Sequence, residues 1–214
     1  MTRVIAGEAR GRRLAVPPGT TTRPTSDRAR EGLFASLLSE LGDLDGKRVL
    51  DLYAGSGAVG LEALSRGANQ VLLVESDARA AAVIRANVAT VGLKGATVVT
   101  DRAERMLSST ARSSAGPFGL VFADPPYALT EAALDRVLTL LTDGWLADGA
   151  LVVVERATRS GPLDWPPGYL PVKSRRYGEA TFWYGWYGSD AEAGEQQETV
   201  SRPALDAPHK AHEE

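Results

Sequence analysis

Residues 47–60 read KRVLDLYAGSGAVG. An apolar run ending near a carboxylate, Asp51, passes into a turn with three glycines and then into AVGLEALSRG (58–67). The first part predicts a strand over 47–53 and the last a helix over 58–67, stopped by Gly67. Between them Gly55, Gly57 and Gly60 form a G-x-G-x-x-G array. Glycines at a strand-to-helix turn let a ligand approach the backbone close to a helix N-terminus, so this context points to a nucleotide-type ligand.

The same alternation continues down the chain. QVLLVES (70–76) reads as a strand and 77–91 as a helix; ATVVT (96–100) reads as a strand with a short helix after it. GLVFA (119–123) is a further strand. Leu134, Val137, Leu138 and Leu141 recur at helical spacing, and GALVVVE (149–155) is another strand. These strands are apolar on both faces, as in a parallel sheet covered by helices. VKSRRYGEATFWYGWY (172–187) differs: it predicts two antiparallel strands turning near Gly178. Trp183, Tyr184, Trp186 and Tyr187 in that hairpin are read as core and sheet residues.

Upstream, RPTSD (23–27) is a helix-start signal, followed by Leu33, Phe34, Leu37, Leu38 and Leu41 at helical period. Residues 1–24 alternate short apolar pairs with Gly, Pro and Arg, which suits a small hairpin or an extended arm. Residues 189–214 are rich in Glu, Gln, Ala and Pro and bury too little surface to fold, so disorder is expected there.

Composition narrows the chemistry. The 214 residues include no cysteine, which removes disulfides, thiolate zinc sites and cysteine nucleophiles. Both histidines, His209 and His212, lie at the far C-terminus, so no histidine base is expected in the folded core. No metal site is expected. No apolar run is long enough to span a membrane, and the N-terminal residues lack the apolar core of a secretion signal, so a cytoplasmic protein is expected. The net charge of −3 is unevenly spread. Residues 1–30 hold seven arginines against Glu8 and Asp27, and residues 189–214 hold seven acids against Arg202 and Lys210. A basic head suggests a polyanionic partner, although some of its arginines can be structural: Arg28 or Arg30 could pair with Glu31 or a core acid.

The sign of charge at the glycine loop selects the ligand. A dinucleotide places a pyrophosphate there, which Asp51 would repel. S-adenosylmethionine carries an ammonium and a sulfonium, which Asp51 attracts by on the order of a few kcal/mol gross at contact. A purely structural Asp51, tying down the loop, is the alternative. Glu75, ending the next strand, can accept from ribose hydroxyls. Asp101, in DRAERML (101–107), can accept from an adenine amine or cap the helix after it. The candidate donor-binding residues are therefore Asp51, Tyr53, Ala54, Gly55, Ser56, Gly57 and Gly60, with Glu75 and Ser76, and with Asp101, Arg102 and Ala103.

FGLVFADPPY (118–127) supplies the other half of a reaction. Ligands of an open parallel sheet bind beyond the carboxyl ends of its strands, so this turn emerges beside the glycine loop. Asp124 can accept a hydrogen bond from an amino group, and the carbonyl beside Pro125 can accept another. Pro125 and Pro126 stiffen the turn, and Tyr127 can stack on a planar base. An exocyclic amine of a nucleobase is a poor nucleophile, because its lone pair is delocalised into the ring. Two acceptors holding its protons orient that lone pair towards an electrophilic methyl. A base inside a duplex cannot reach such a pocket and must be unpaired or flipped out.

DLYAGSG followed by DPPY resembles the amino-methyltransferases. IAGEARGRRLAVP and RPTSDRAREGLF narrow the resemblance to the bacterial 16S ribosomal RNA (guanine-N2)-methyltransferases, the RsmD-like family, over about residues 3–188. The resemblance implies a Rossmann-like, seven-stranded, mostly parallel methyltransferase fold with S-adenosylmethionine as donor and S-adenosylhomocysteine as product. It also implies a guanine in 16S RNA as target, presented on the small ribosomal subunit to a monomeric enzyme. By position, Asp124, Pro125, Pro126 and Tyr127 form the catalytic turn, and Arg10, Arg12, Arg13, Arg23 and Arg28 contact RNA. Ala9 stands where relatives often carry an aromatic residue. The implied organisation is a basic arm (1–24), a methyltransferase domain (25–188) and an acidic tail (189–214). The alternatives are a DNA amino-methyltransferase, a nicotinamide-dependent oxidoreductase, disfavoured by Asp51, and a non-catalytic RNA-binding protein.

Overall fold

The computed structural model describes residues 2–18, 27–109 and 115–188. Arg23 and the tail from 189 lie outside the described residues. The element order is β1 (Thr2–Arg3), β2 (Arg13–Leu14), α1 (Asp27–Leu41), β3 (Arg48–Leu52), α2 (Ala58–Ser65), β4 (Gln70–Glu75), α3 (Ala78–Val91) and β5 (Ala96–Thr100). Then follow α4 (Ala103–Leu107), β6 (Phe118–Ala123), α5 (Glu131–Thr142), β7 (Leu146–Ala157), β8 (Tyr169–Tyr177) and β9 (Ala180–Tyr187).

Seven strands form one sheet in the order β5-β4-β3-β6-β7-β9-β8. The first five are parallel, while β9 and β8 close the sheet as an antiparallel hairpin turning at Gly178. The chain leaves β3 for β4 and β5 on one side, then returns to place β6 and β7 on the other. The crevice above β3 and β6 is thus the switch point of the sheet.

Strand alternation divides the core into two faces. Leu50, Leu52, Val121, Ala123, Val152 and Val154 face α4 and α5, where Leu134, Val137, Leu138 and Leu141 are all buried. Val49, Leu120, Phe122, Leu151 and Val153 face α1 and α2, meeting Leu33, Phe34 and Leu37. Burial on both faces explains the continuous apolar runs. β5 departs from this expectation: its residues are half-exposed or exposed, because it is the edge strand. β7 starts at Leu146 and β8 at Tyr169, earlier than the sequence pattern marks them, since LADG and YLP carry no clean strand period. Of the four hairpin aromatics, Tyr184 is fully buried, and Trp183, Trp186 and Tyr187 are packed against the core.

The N-terminal segment is a hairpin docked on the sheet's helices. Its clasp is Glu62, fully buried on α2, whose carboxylate accepts from Ile5 N–H (2.6 Å), Ala6 N–H (2.9 Å) and Arg66 Nε (2.7 Å). Ser65 adds a second pin: its Oγ accepts from Ala9 N–H, and its carbonyl accepts from Glu8 N–H. Ala9 is buried in this contact. Gly7 passes so close that a Cβ there would lie 1.8 Å from the Ser65 carbonyl oxygen, and its φ is +82°. Gly7→Ala should therefore lower stability by about 2 kcal/mol or more, from positive-φ strain plus overpacking. Urea unfolding at constant m-value is the check, and an unchanged midpoint would contradict the docking geometry.

Candidate active site

At the switch point lies a cavity of about 440 Å³. Three expected segments meet in it: Asp51 of β3 with Tyr53, Ala54, Gly55 and Ser56 from the turn after it, Glu75 and Ser76 from the end of β4, and the whole of Asp124–Tyr127 just after β6. The register explains the convergence. Leu73, Asp51, Phe122 and Val153 stand side by side on four neighbouring strands. Two residues further along in the chain come Glu75, Tyr53, Asp124 and Glu155, which all line the cavity, Tyr53 also packing against the core of the α4–α5 face.

The glycine loop is held by acids. Asp51 Oδ2 accepts from Gly60 N–H at 2.8 Å, Glu75 Oε2 accepts from Gly55 N–H at 2.9 Å, and Glu75 Oε1 accepts from Asp77 N–H at 2.8 Å. Gly60 is required by space: a Cβ there would sit 2.8 Å from Val71 Cγ1 and 3.0 Å from Asp51 Oδ2. Tyr53 adopts φ +61°, a conformation costly for an aromatic residue, at the point where the chain leaves the strand. Nothing in the sequence pattern signals it. Asn87 of α3 braces the loop from behind, donating to the Ser56 and Ala15 carbonyls and accepting from Ala15 N–H.

The lining is acidic. Asp51, Glu75, Asp77, Asp124 and Glu155 face the cavity against Arg30 and Arg79. Burial, opposed by the Gly60 hydrogen bond and reinforced by Glu75, pushes Asp51 up to about 7. Asp124 is open to water on the cavity side but hemmed in by protein elsewhere. Lost hydration, then the carboxylates of Glu155 and Asp51, hold it well above the ordinary carboxylate range. The amides of Gly55 and Gly60, which in a dinucleotide site would face phosphate, are here committed to carboxylates. Such a site fits a cationic ligand such as a sulfonium-bearing amino acid, and opposes a pyrophosphate.

In the DPPY turn the Pro126 carbonyl accepts from Leu129 N–H at 2.8 Å. Neither the Asp124 carboxylate nor the Pro125 carbonyl accepts a hydrogen bond among the described residues, and both belong to residues that line the cavity. Tyr127 is 64% exposed at the cavity mouth, with the Arg159 guanidinium over its ring at 5.8 Å.

Gly57, Gly60, Asp101, Arg102 and Ala103 do not line the cavity. Gly57 and Gly60 shape the loop beneath it. Asp101 Oδ1 accepts from Arg102 N–H and Arg105 Nε at the start of α4. Arg10, Arg12, Arg13 and Arg28 are exposed, and Arg12 also donates to the Thr90 carbonyl. One cavity residue carries a signal that sequence reasoning left unused, and a second, Arg30, meets the core acid expected of it. Glu155 ends LVVVE just as Asp124 ends GLVFA. Arg30, buried on α1, bonds Thr2, Arg3 and Asp27 and faces Glu62 at 3.9 Å. Among the described residues no group of acids or histidines is placed to hold a metal, and no helix is long and apolar enough to cross a membrane.

A switch-point cavity of this kind, on a seven-stranded sheet with an antiparallel last pair, is that of a Rossmann-like methyltransferase fold. Solved structures with less than a quarter of residues identical share it, among them a precorrin-6y C5,15-methyltransferase from Geobacter metallireducens (16% identity, TM-score 0.54, 81% of this chain and 93% of that one). The chain belongs to the family described as Conserved hypothetical protein 95, which matches residues 2–186. It is 40% identical over 168 residues to the ribosomal RNA small subunit methyltransferase D of Escherichia coli, covering 76% of this chain and 80% of that protein. The enzyme of the same name from Haemophilus influenzae is 33% identical over 186 residues, covering 84% and 91%. The solved structure of yhhF from Escherichia coli superposes with a TM-score of 0.75 at 35% identity, covering 87% of this chain and 98% of that one.

Proposed function

We propose that this protein transfers a methyl group from S-adenosylmethionine to the exocyclic N2 amine of a guanine in 16S RNA, on the small ribosomal subunit. The observation that carries the reading is the meeting, in one acidic cavity, of the carboxylate-held glycine loop with the Asp124–Tyr127 turn. The RNA methyltransferase names of its relatives support it independently.

S-adenosylmethionine, bound over the glycine loop, supplies an electrophilic methyl on a sulfonium. Asp51, Glu75 and the backbone of Ala54–Ser56 hold that donor by charge and hydrogen bonds. Asp124 and the Pro125 carbonyl accept the two amine protons and aim the nitrogen lone pair at the methyl. Tyr127 stacks on the guanine ring after it leaves its helix. As the nitrogen–methyl bond forms, the methyl–sulfur bond would break with its electron pair left on sulfur, giving S-adenosylhomocysteine, and the nitrogen becomes cationic and gives up a proton. Asp124, with its raised affinity for protons, is placed to take it. Arg10, Arg12, Arg13, Arg23 and Arg28 contact the phosphate backbone. The reading carries with it a cytoplasmic monomer.

The test is transfer of labelled methyl to small subunits lacking this modification, with duplex DNA in parallel and the product nucleoside identified by mass spectrometry. N2-methylguanosine from ribosomal RNA is expected. Label in DNA alone, or no label despite donor binding, would overturn the reading. Charge reversal of Arg10, Arg12 and Arg13 together should raise KM for subunits at least tenfold and flatten its salt dependence, with donor affinity unchanged. Unaltered salt dependence would remove these arginines from the RNA contact.

A further inference from the structure

We propose that a second cavity, beside the first and sharing Tyr127 with it, holds the RNA nucleotide next to the target guanine, its phosphate clamped between Arg159 and Arg176. This rests on the reading above and adds to it a second grip on the substrate.

The cavity has a volume of about 310 Å³, room for one nucleotide. Its walls come from the turn Thr158–Ser160 after β7 and from the β8–β9 hairpin. These two elements are tied together. Thr158 N–H donates to the Glu179 carbonyl at 2.7 Å, and the Thr158 and Thr181 hydroxyls bond at 2.9 Å. The brace sets two guanidinium groups around one space. Arg176 is further held within its own hairpin, where its Nε donates to the Gly178 carbonyl at 3.0 Å. Arg156 shares a register row with Arg176 through Thr181, but its charge is spent on Glu131. Among the described residues neither Arg159 nor Arg176 forms an ion pair, so both cations remain for a ligand. Glu179 is the one acid in the lining, which therefore keeps a net positive charge.

Position names the ligand. Tyr127 is a wall of both cavities, and the Arg159 guanidinium lies over its ring. A base stacked on Tyr127 in the first cavity brings its own strand to the mouth of the second. The planar fork of a guanidinium matches two phosphate oxygens at once. The basic hairpin does not reach this side. It docks on α2 and α3, beside β3, β4 and β5, whereas Arg159 and Arg176 stand at the β7–β9–β8 side of the switch point. Extruding a base costs on the order of a few kcal/mol of stacking and pairing. Holding the strand on both sides of the extruded nucleotide offsets that cost and keeps the base in place.

The experiment measures binding to small subunits lacking the modification, across a salt series, for wild type and for the double variant Arg159→Gln with Arg176→Gln. The double variant should bind about tenfold more weakly at low salt. Its plot of log affinity against log salt should be shallower by about 0.7, the share of one phosphate in a single strand. Donor affinity by calorimetry should not move. Arg176→Lys, which keeps a point charge, should hold most of the slope that Arg176→Gln loses. An unchanged slope in the double variant, or equal losses in Arg176→Lys and Arg176→Gln, would overturn the proposal. A second arm identifies the phosphate. Once the target guanine is mapped, subunits are reconstituted with a neutral methylphosphonate linkage on its 5′ or its 3′ side. One of the two should weaken wild-type binding about tenfold and weaken the double variant little further. No loss in wild type, or the same loss in both proteins, would overturn the proposal and leave the cavity to a free anion. Should the double variant not fold, Glu179→Gln takes its place: removal of the acid should tighten subunit binding, and unchanged or weaker binding would overturn the assignment. Failure of wild type to bind or methylate the unmodified subunits would instead overturn the underlying reading.

Discussion

Replacing Asp124 with alanine is expected to lower methyl transfer by about two to four orders of magnitude and to leave donor affinity within about twofold. The asymmetry follows from position. Asp124 follows β6, while the proposed donor contacts come from the ends of β3 and β4 and the turns after them. Its removal takes away an acceptor for the amine and the nearest base for the departing proton, but none of the bonds that hold the glycine loop. Asp124→Asn should fall between the two, since it keeps an acceptor and cannot take the proton. The pH profile adds a second check. Asp124 must be ionised to accept the proton, and lost hydration on its protein side, with the carboxylates of Glu155 and Asp51, raises its proton affinity. Single-turnover rates should therefore fall as pH is lowered, with a midpoint above that of an ordinary carboxylate. A profile that is flat down to pH 4, or an alanine variant of wild-type rate, would remove Asp124 from the reaction.

Asp51→Asn should produce the opposite split: weaker donor binding with a more stable fold. In the proposed site the buried carboxylate is the group that meets donor charge. Its loss should weaken S-adenosylmethionine by about 1.5–3 kcal/mol, tenfold or more. The sign for stability runs the other way. Folding raises the Asp51 pKa from 3.8 to about 7. The folded state thus binds this proton more tightly than the unfolded one, and stability from this group is lost as pH rises from 3.8 through 7. Asparagine keeps an acceptor for Gly60 N–H and removes the ionisation. The variant should melt above wild type at pH 8, with the gap narrowing at pH 5. Wild-type donor affinity should also fall below pH 7, up to tenfold per unit, where Asp51 becomes neutral, and that slope should vanish in the variant. Calorimetry at several pH values measures both. Unchanged donor affinity in the variant would leave Asp51 a purely structural acid.

The fold was legible where side chains carry a period or a stop. Leu134, Val137, Leu138 and Leu141 mark the buried stripe of α5, and Gly92 and Gly67 sit at helix ends with positive φ. Strand ends blurred where pairing, not pattern, extends the ladder, as at Leu146 and Tyr169. The cavity's acids on β3, β4 and β6 could be named because each stands beside a recognisable turn. Glu155 has no such turn after it, so only the strand register reveals it. That Arg30 could pair with a core acid was legible, but which acid was not. Its burial against Glu62 comes from long-range packing, which local spacing does not encode. Tyr53's backbone is the clearest case of a feature with no sequence mark, since aromatic residues rarely accept φ above zero.

The clasp at Glu62 and Ser65 has a consequence for protein engineering. Residues 2–18 meet the rest of the chain in large part through backbone amides docked on two buried side chains of α2, with no room for a side chain at Gly7 and further bonds to Arg30 of α1 and Asn87 of α3. Grafting this segment onto another methyltransferase scaffold would transplant a strip of chain without its mortise. A working chimaera would have to carry α2, and with it the glycine loop that opens it, so that head and catalytic core are inherited together or not at all.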